Sequence, residues 1–467
     1  MPITVFSIVL TCIVLYFLFR KDTMHRRFRN LLALAAIIHI SAIRGYYLVI
    51  GAQSEVNYDL FISCVMLVVS LAYVFSGYVH LDRISLIFSV LFIGGAIISI
   101  GAEYCFPYPN FIINSNTTGG WDAYIMGEEV KDVVVIRWSR ISTFFAISAS
   151  YLLTLMVAKK IIHKQDLVSI TKTITSFFYL ITIFMIIEWL SKTFFGGVAY
   201  ESFMNVFFGS GQNTFVDLLE RGTGYQLQGL SREPAHFSFM LFWGIIFSII
   251  RYKVLAWKNF PFYVKIQLTL MIVFMFISGS FSSYVYVPII VLFLIYVYNR
   301  HYHYKYLKYV FGLFLLLGTL SISYILNDVD SSTYFGQRIM LTLLAIDLVD
   351  SGNVIGIGAS SSLTRLVSIH DTFMDFLQRP LLGLGPTVQV SHGGLVNFLS
   401  DTGLFGLICW LGASFAGSGY KYRYLPIFIL LVLPNIFMGV LTINTAFAMY
   451  TPLIILCFQN SNSSDEV

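Results

Sequence analysis

Apolar runs of roughly 17 to 25 residues, the length that crosses a bilayer as a helix, recur along the chain with short polar segments between them. In lipid only a helix satisfies every backbone polar group within its own segment, so the pattern predicts a helical bundle. The runs fall near residues 2–19, 31–51, 59–79, 84–102, 141–158, 173–191, 236–250, 266–281, 283–298, 309–326, 395–416, 425–441 and 443–458. The expected fold is therefore an all-α polytopic membrane protein of about thirteen transmembrane helices, within a range of 12 to 14. No repeat at a solenoid period is visible, and the chain reads as a single integral-membrane domain. The first run lacks a basic leading segment and a small-residue cleavage site, and RKDTMHRRFR follows it, so it reads as a retained anchor.

Composition agrees with the pattern. Over 467 residues the chain is 57% hydrophobic and 11% charged, with a mean hydropathy of +0.78, far from the charge content of a soluble domain. Charge adds orientation. Alternate loops hold Arg20 to Arg29, Arg83, Lys159 to Lys172, Arg251 to Lys265, Arg300 to Lys308, and Lys421 with Arg423, together 19 of the 29 basic residues. The positive-inside rule makes that side cytoplasmic, with the N-terminus outside and the C-terminus inside.

Loop length then locates candidate function. The cytoplasmic loops are too short for a nucleotide-binding domain, whereas residues 103–140, 192–235 and 327–394 form three long external segments, and long loops concentrate function. Within the third, Leu363, Leu366, Val367, His370, Met374 and Leu377 share one helical face, and Arg365, Ser368, Thr372, Asp375 and Arg379 another. This predicts an amphipathic helix on the outer surface of the bundle.

The five cysteines offer no disulfide framework in the external loops, since only Cys105 is external. No metal-ligand cluster appears, Asp328-Val329-Asp330 reads as a solvated loop, and the glycines at 383–385 and 393–394 do not form a phosphate loop. Neither a metal nor a cofactor is expected, and nothing points to nucleic acid. What stands out is a group of external arginines: Arg137, Arg140, Arg221, Arg232, Arg338, Arg365 and Arg379, with Arg44 inside a span. Placing a cation at the bilayer centre costs about 2.5 to 3.5 kcal/mol on insertion scales, so Arg44 requires a partner or a wet cavity. Only Arg44 and Glu188 read as ionisable groups within spans. Guanidinium forks match phosphate oxygens bidentately, which suits Arg44, Arg221, Arg232, Arg338 and Arg379 to a lipid diphosphate or glycan. Pairing with a neighbouring carboxylate, as between Asp375 and Arg379, accounts for such residues equally simply.

The order of features from residue 360 onward is SSSLTRL, an amphipathic helix, QRPLLGLGP, then SHGGLVNFLSDTGLFGL. It resembles the O-antigen polymerase and O-antigen ligase superfamily of bacterial inner-membrane enzymes, which carry a loop arginine, a "plxGxG" turn and a histidine before "L..l.e.G..G". GLSREPAHFSFML resembles the family's "sEPs" helix start, and FISGSFSSYVYVPIIVLFL its "S.sr...l" hairpin. The chain departs from the pattern at Gly393, where asparagine commonly follows the histidine, and at Ser280 to Ser283, which lack the hairpin arginine.

The resemblance carries over Arg365, His392, Glu233 and Arg232. It implies an enzyme facing the periplasm that transfers a glycan from undecaprenyl diphosphate onto a hydroxyl of a second lipid-linked repeat unit, with inversion and release of undecaprenyl diphosphate. Arg365 and the other arginines would stabilise the departing diphosphate, His392 would accept or orient the hydroxyl proton, and Glu233 is the rival base. The implied partners are the lipid-linked donor and acceptor, the bilayer, and a chain-length regulator protein. Two alternatives stay open: a ligase joining the glycan to lipid A core, and a lipid-linked oligosaccharide flippase or other transporter. Gly383 and Gly385 are expected to turn the chain tightly after Pro380, and Gly393-Gly394 to leave room beside His392.

Overall fold

A computed structural model of the chain describes residues 4–41, 43, 47–49, 55–106, 138–208, 227–231, 234–278, 280–302, 344, 347, 361–386, 394–416, 426, 428–432, 434 and 447–459. Among them run α1 (Val5–Phe19), α2 (Met24–Ser41), α3 (Tyr58–Phe75), α4 (Arg83–Cys105), α5 (Trp138–Ile161), α6 (Lys164–Phe195), α7 (Val198–Phe208) and α8 (Pro234–Ile249). They are followed by α9 (Phe262–Ile277), α10 (Phe281–Tyr302), α11 (Ser361–Gln378), α12 (Gly394–Phe415) and α13 (Tyr450–Gln459). Six described helices are long and apolar enough to cross a membrane: Tyr58–Phe75, Arg83–Cys105, Arg140–Ile161, Lys164–Phe195, Pro234–Val254 and Gly394–Phe415. The protein is a helical membrane protein.

Burial shows which solvent the sequence was written for. The buried stripe of α4 is Ser85, Ser89, Phe92, Gly95, Ala96, Ser99 and Glu103, while Ile84, Ile87, Val90, Ile97 and Ile98 are exposed. Small and polar side chains face inward and large aliphatic ones outward, the arrangement that packs helices closely in lipid. α8 has no outward face: all sixteen of its residues are buried, with Phe239, Phe242 and Trp243 set against Tyr286 of α10 and Tyr450 of α13. α8 is the centre of the bundle.

α12 lies along α4 through reciprocal glycine–phenylalanine contacts. A Cβ on Gly95 of α4 would stand 2.8 Å from the Phe405 ring, and one on Gly412 of α12 would stand 2.6 Å from the Phe88 ring. The far end of α12 is closed by Lys159 of α5, whose Nζ donates to the carbonyls of Ala413 (3.0 Å) and Ala416 (3.2 Å). A cation there also complements the helix dipole.

Several boundaries differ from the apolar pattern. The run at 31–51 is not one span: α2 starts at Met24, where the Thr23 hydroxyl accepts the Arg26 N–H, and stops at Ser41. Leu48–Val49 then pairs antiparallel with Glu55–Val56. Aromatic and β-branched residues between Gly45 and Gly51 favour extended backbone, and the basic segment before residue 31 simply continues the helix. Of the last run, Tyr450–Gln459 is described as a helix, and of the run at 425–441, Phe428–Val432 is described as a π-helical turn. Residues 309–326 lie outside the described residues. The segment 192–235 carries helix α7.

The amphipathic helix expected in the third long segment is present as α11, and its polar face points inward. Ser368, Asp371, Thr372 and Asp375 are buried, whereas Phe373, Met374 and Leu377 are exposed. Next to a bilayer the apolar face is the one a helix can afford to turn outward.

Candidate functional site

The best-defined irregular feature in the bundle is a break in α12. Gly403 has φ 67° and ψ −175°, a conformation that only glycine holds without strain, and it divides the helix between Thr402 and Leu404. A broken membrane helix must satisfy its freed backbone groups from elsewhere. Here the turn after α11 supplies the partners: Leu404 N–H donates to the Pro380 carbonyl (2.8 Å), Phe405 N–H to Leu381 (2.9 Å), and Leu384 N–H to Ser400 (2.7 Å). The tight turn expected from the glycines is there, with Gly383 at φ 71° and Gly385 at φ 84°. Ser99 of α4 donates to the Gly383 carbonyl at 3.1 Å and fixes the turn to a third element.

Arg379, at the start of this turn, donates to Glu103 Oε2 at 2.8 Å and to the Phe106 carbonyl. Its carboxylate partner is therefore at the end of α4 and is not Asp375. The Glu103 carboxylate is buried, so this pair ties α4 to the turn with a charge that water cannot replace. Arg379→Met is expected to destabilise the protein by about 1.5 to 3 kcal/mol, the cost of losing a hydrogen bond to a charged group. Thermal unfolding in detergent checks this, and Glu103→Gln in the same chain should recover part of the loss. On α11, burial pushes the Asp371 carboxyl above the ordinary carboxylate range, while His370, with Nδ1 at 2.8 Å, pulls it back.

Asp401 occupies the last turn before the break. It is 7% exposed. Asp401 is thus an ionisable residue within a span, as Glu188 and Lys192 are, and sequence reading passed over it. SDTG there reads as a polar interruption before a glycine, and only its place inside an apolar run signals a charge in lipid.

A second polar locus surrounds Glu188 of α6. Its Oε1 accepts from Lys192 Nζ (2.5 Å) and Gln228 N–H (2.9 Å), and its Oε2 from Gly229 N–H (2.7 Å). Glu201 of α7 lies 3.7 Å from the same ammonium, and Tyr200 donates to the Gly229 carbonyl. Ser231 Oγ donates to the Ser41 carbonyl at 2.9 Å, and Ile43 bridges Ser231. The residues that precede Arg44 and Arg232 in sequence are therefore paired with each other. A few residues on, Ser238 of α8 shares hydroxyl hydrogen bonds with Ser278 (3.1 Å) and Ser283 (2.9 Å) of the α9–α10 hairpin. Two stretches singled out separately in the sequence, the helix start at Pro234 and the serine hairpin, meet here.

Of the candidate residues, Arg379 is described in full, and Arg365 is placed in the first turns of α11 by its backbone. His392, Glu233, Arg232, Arg338, Arg44, Arg221 and Arg137, with Asp328 to Asp330, lie outside the described residues. Among the described residues no group of three or more histidine, cysteine or acidic side chains could hold a metal ion. No protein-family model and no curated protein matches the chain.

Proposed function

We propose that the protein is a membrane glycosyltransferase of the O-antigen polymerase type, joining lipid-linked repeat units at the periplasmic face of the bacterial inner membrane. One observation carries the reading furthest: the turn at 380–384 is hydrogen-bonded to the break in α12. Both halves of that arrangement belong to the stretch that resembles the superfamily, from QRPLLGLGP to SDTGLFGL. The meeting of the Pro234 helix start with the Ser278–Ser283 hairpin supports it further. In this reading arginines hold the diphosphate, Arg365 foremost, and stabilise its charge as the anomeric C–O bond breaks. His392, or Glu233 as its rival, receives the acceptor hydroxyl proton. No metal or nucleotide enters the scheme. A ligase that uses lipid A core as acceptor would run the same chemistry.

The test is the product formed by purified protein given lipid-linked repeat units alone. Longer lipid-linked chains support the polymerase, and turnover only with a core acceptor supports the ligase. Arg365→Ala is expected to abolish extension at a normal membrane level, and Arg365→Lys to recover little, because a point charge does not reproduce a bidentate contact. Full activity of the lysine variant would refute the fork argument.

A second reading, a transporter of lipid-linked saccharides, is favoured by the broken α12 with a buried carboxylate beside the break, features that recur at transporter binding sites. Movement of labelled lipid-linked saccharide across proteoliposome membranes without chain growth would select it.

A further inference from the structure

We propose that Lys253, set in a cage of aromatic rings, binds the phosphate of an anionic phospholipid headgroup, independently of the transferase reading. Helix α8 runs on into a π-helical turn, Ile250–Val254, that closes the membrane-crossing stretch Pro234–Val254. Lys253 is therefore at the end of a span, the level at which headgroups lie. Its ammonium stands 4.8 Å from the centre of the Trp257 ring, 5.3 Å from that of Phe260 and 5.4 Å from that of Tyr298 of α10, all within cation–π range. Lys253 is 6% exposed while the three rings are half-buried, so the cage belongs to the rim of the bundle and not to its core. Trp257 holds its place at φ 37°, the one positive φ of a non-glycine residue among those described, and its ring stacks on His301 at 3.5 Å. Strain of that kind collects at ligand clamps.

Ring faces attract a cation but accept its N–H groups poorly. Other lysines that enter the bundle are completed by oxygen: Lys192 by Glu188 at 2.5 Å, and Lys159 by the carbonyls of Ala413 and Ala416. No oxygen does this for Lys253 among the described residues. The surrounding sequence sets the charge of an acceptor from outside the chain. Residues 250–265 hold Arg251, Lys253, Lys258 and Lys265 and no carboxylate, a field that repels a metal ion or an amine and draws an anion. A phosphate group supplies both the negative charge and several acceptor oxygens for the three N–H groups of the ammonium. Its source is a lipid, because the next helix begins with the exposed residues Phe262, Tyr263 and Ile266, an apolar face for acyl chains beside the basic turn. A lipid of net negative charge gains from the neighbouring lysines as well, which a zwitterionic one does not.

The experiment uses delipidated full-length protein in a neutral detergent. Acetic anhydride acetylates accessible amines, and Lys253 is followed by mass spectrometry with added phosphatidylglycerol, phosphatidylcholine or inorganic phosphate. Phosphatidylglycerol is expected to slow acetylation of Lys253 about tenfold or more, as for gaining a charged hydrogen bond, and the other two to slow it little, with exposed Lys258 as the reference amine. Equal protection by inorganic phosphate makes the ligand a soluble anion and overturns the proposal. Equal protection by phosphatidylcholine removes the need for net negative charge and overturns it as well. So does a Lys253 that none of the three protects, or one that stays unmodified throughout and is therefore sealed within the chain. In native mass spectrometry, Lys253→Met should weaken the tightest-bound phosphatidylglycerol about tenfold or more, and Lys253→Arg should retain it; unchanged affinity in the methionine variant also refutes the site. The acetylation arm uses the unaltered chain, so it does not depend on how a variant folds. Neither readout requires chain growth, so failure of the transferase reading leaves this result standing, and the reverse.

Discussion

Glu188→Ala should destabilise the protein by about 3 to 5 kcal/mol, the cost of breaking a buried ion pair from one side. The expected signature is a sharp fall in detergent-extracted monodisperse protein, read by size-exclusion chromatography, and a lower unfolding temperature in what remains. Lys192 is 1% exposed and would be left with Glu201 at 3.7 Å as its nearest carboxylate. The substitution removes more than a charge, since Glu188 also accepts the N–H groups of Gln228 and Gly229. Pairing Glu188→Ala with Lys192→Met should therefore recover only part of the loss, because two buried amides still lack acceptors. Glu188→Gln, which keeps one carbonyl for an amide, should be milder than Glu188→Ala. Full recovery in the double variant would show that the carboxylate serves Lys192 alone.

Gly403→Ala is expected to cost about 4 kcal/mol or more, from backbone strain together with loss of the hydrogen bonds across the break. Its φ of 67° is hostile to an L-residue, and the new Cβ would fall on the Leu381 carbonyl. The turn would have to withdraw, uncovering the N–H groups of Leu404 and Phe405. Gly101, with nothing within 4 Å of its Cβ position, is the matched control, and Gly101→Ala should be nearly neutral. The difference in unfolding temperature between the two variants measures the effect. Equal temperatures would mean that α12 straightens without penalty.

The legible parts of this protein are those written locally. Pro380, Gly383 and Gly385 mark a turn by their own backbone preferences, and the turn is present. The helical spacing of 363–377 announces α11, yet spacing alone does not say which face turns inward. That depends on whether the surroundings are water or lipid, and Ser368, Thr372 and Asp375 are the buried ones. The start of α2 at Met24 was hidden because four basic residues at positions 20–27 read as a loop, while one hydroxyl at Thr23 suffices to cap a helix there. Partnerships between distant positions leave no local trace. Arg379 and Glu103 are 276 residues apart, and nothing near either one distinguishes a structural pair from a pair of ligand-binding groups. Glu188 and Lys192 stand one helical turn apart and can be matched on paper, but the amides of Gln228 and Gly229 cannot.

The bonded break in α12 bears on how the chain is made. Ribosomes deliver residues 379–384 before residues 400–405, and Ser99 well before either, so the acceptors at Pro380 and Leu381 already exist when the amides of Leu404 and Phe405 emerge. A segment interrupted by an aspartate and a glycine at positive φ is a poor substrate for independent insertion. The preceding turn acts as an internal template that is in place first. A circular permutant opened between Gly385 and Gly394 would deliver α12 ahead of its template, and its insertion would have to wait for the other end of the chain.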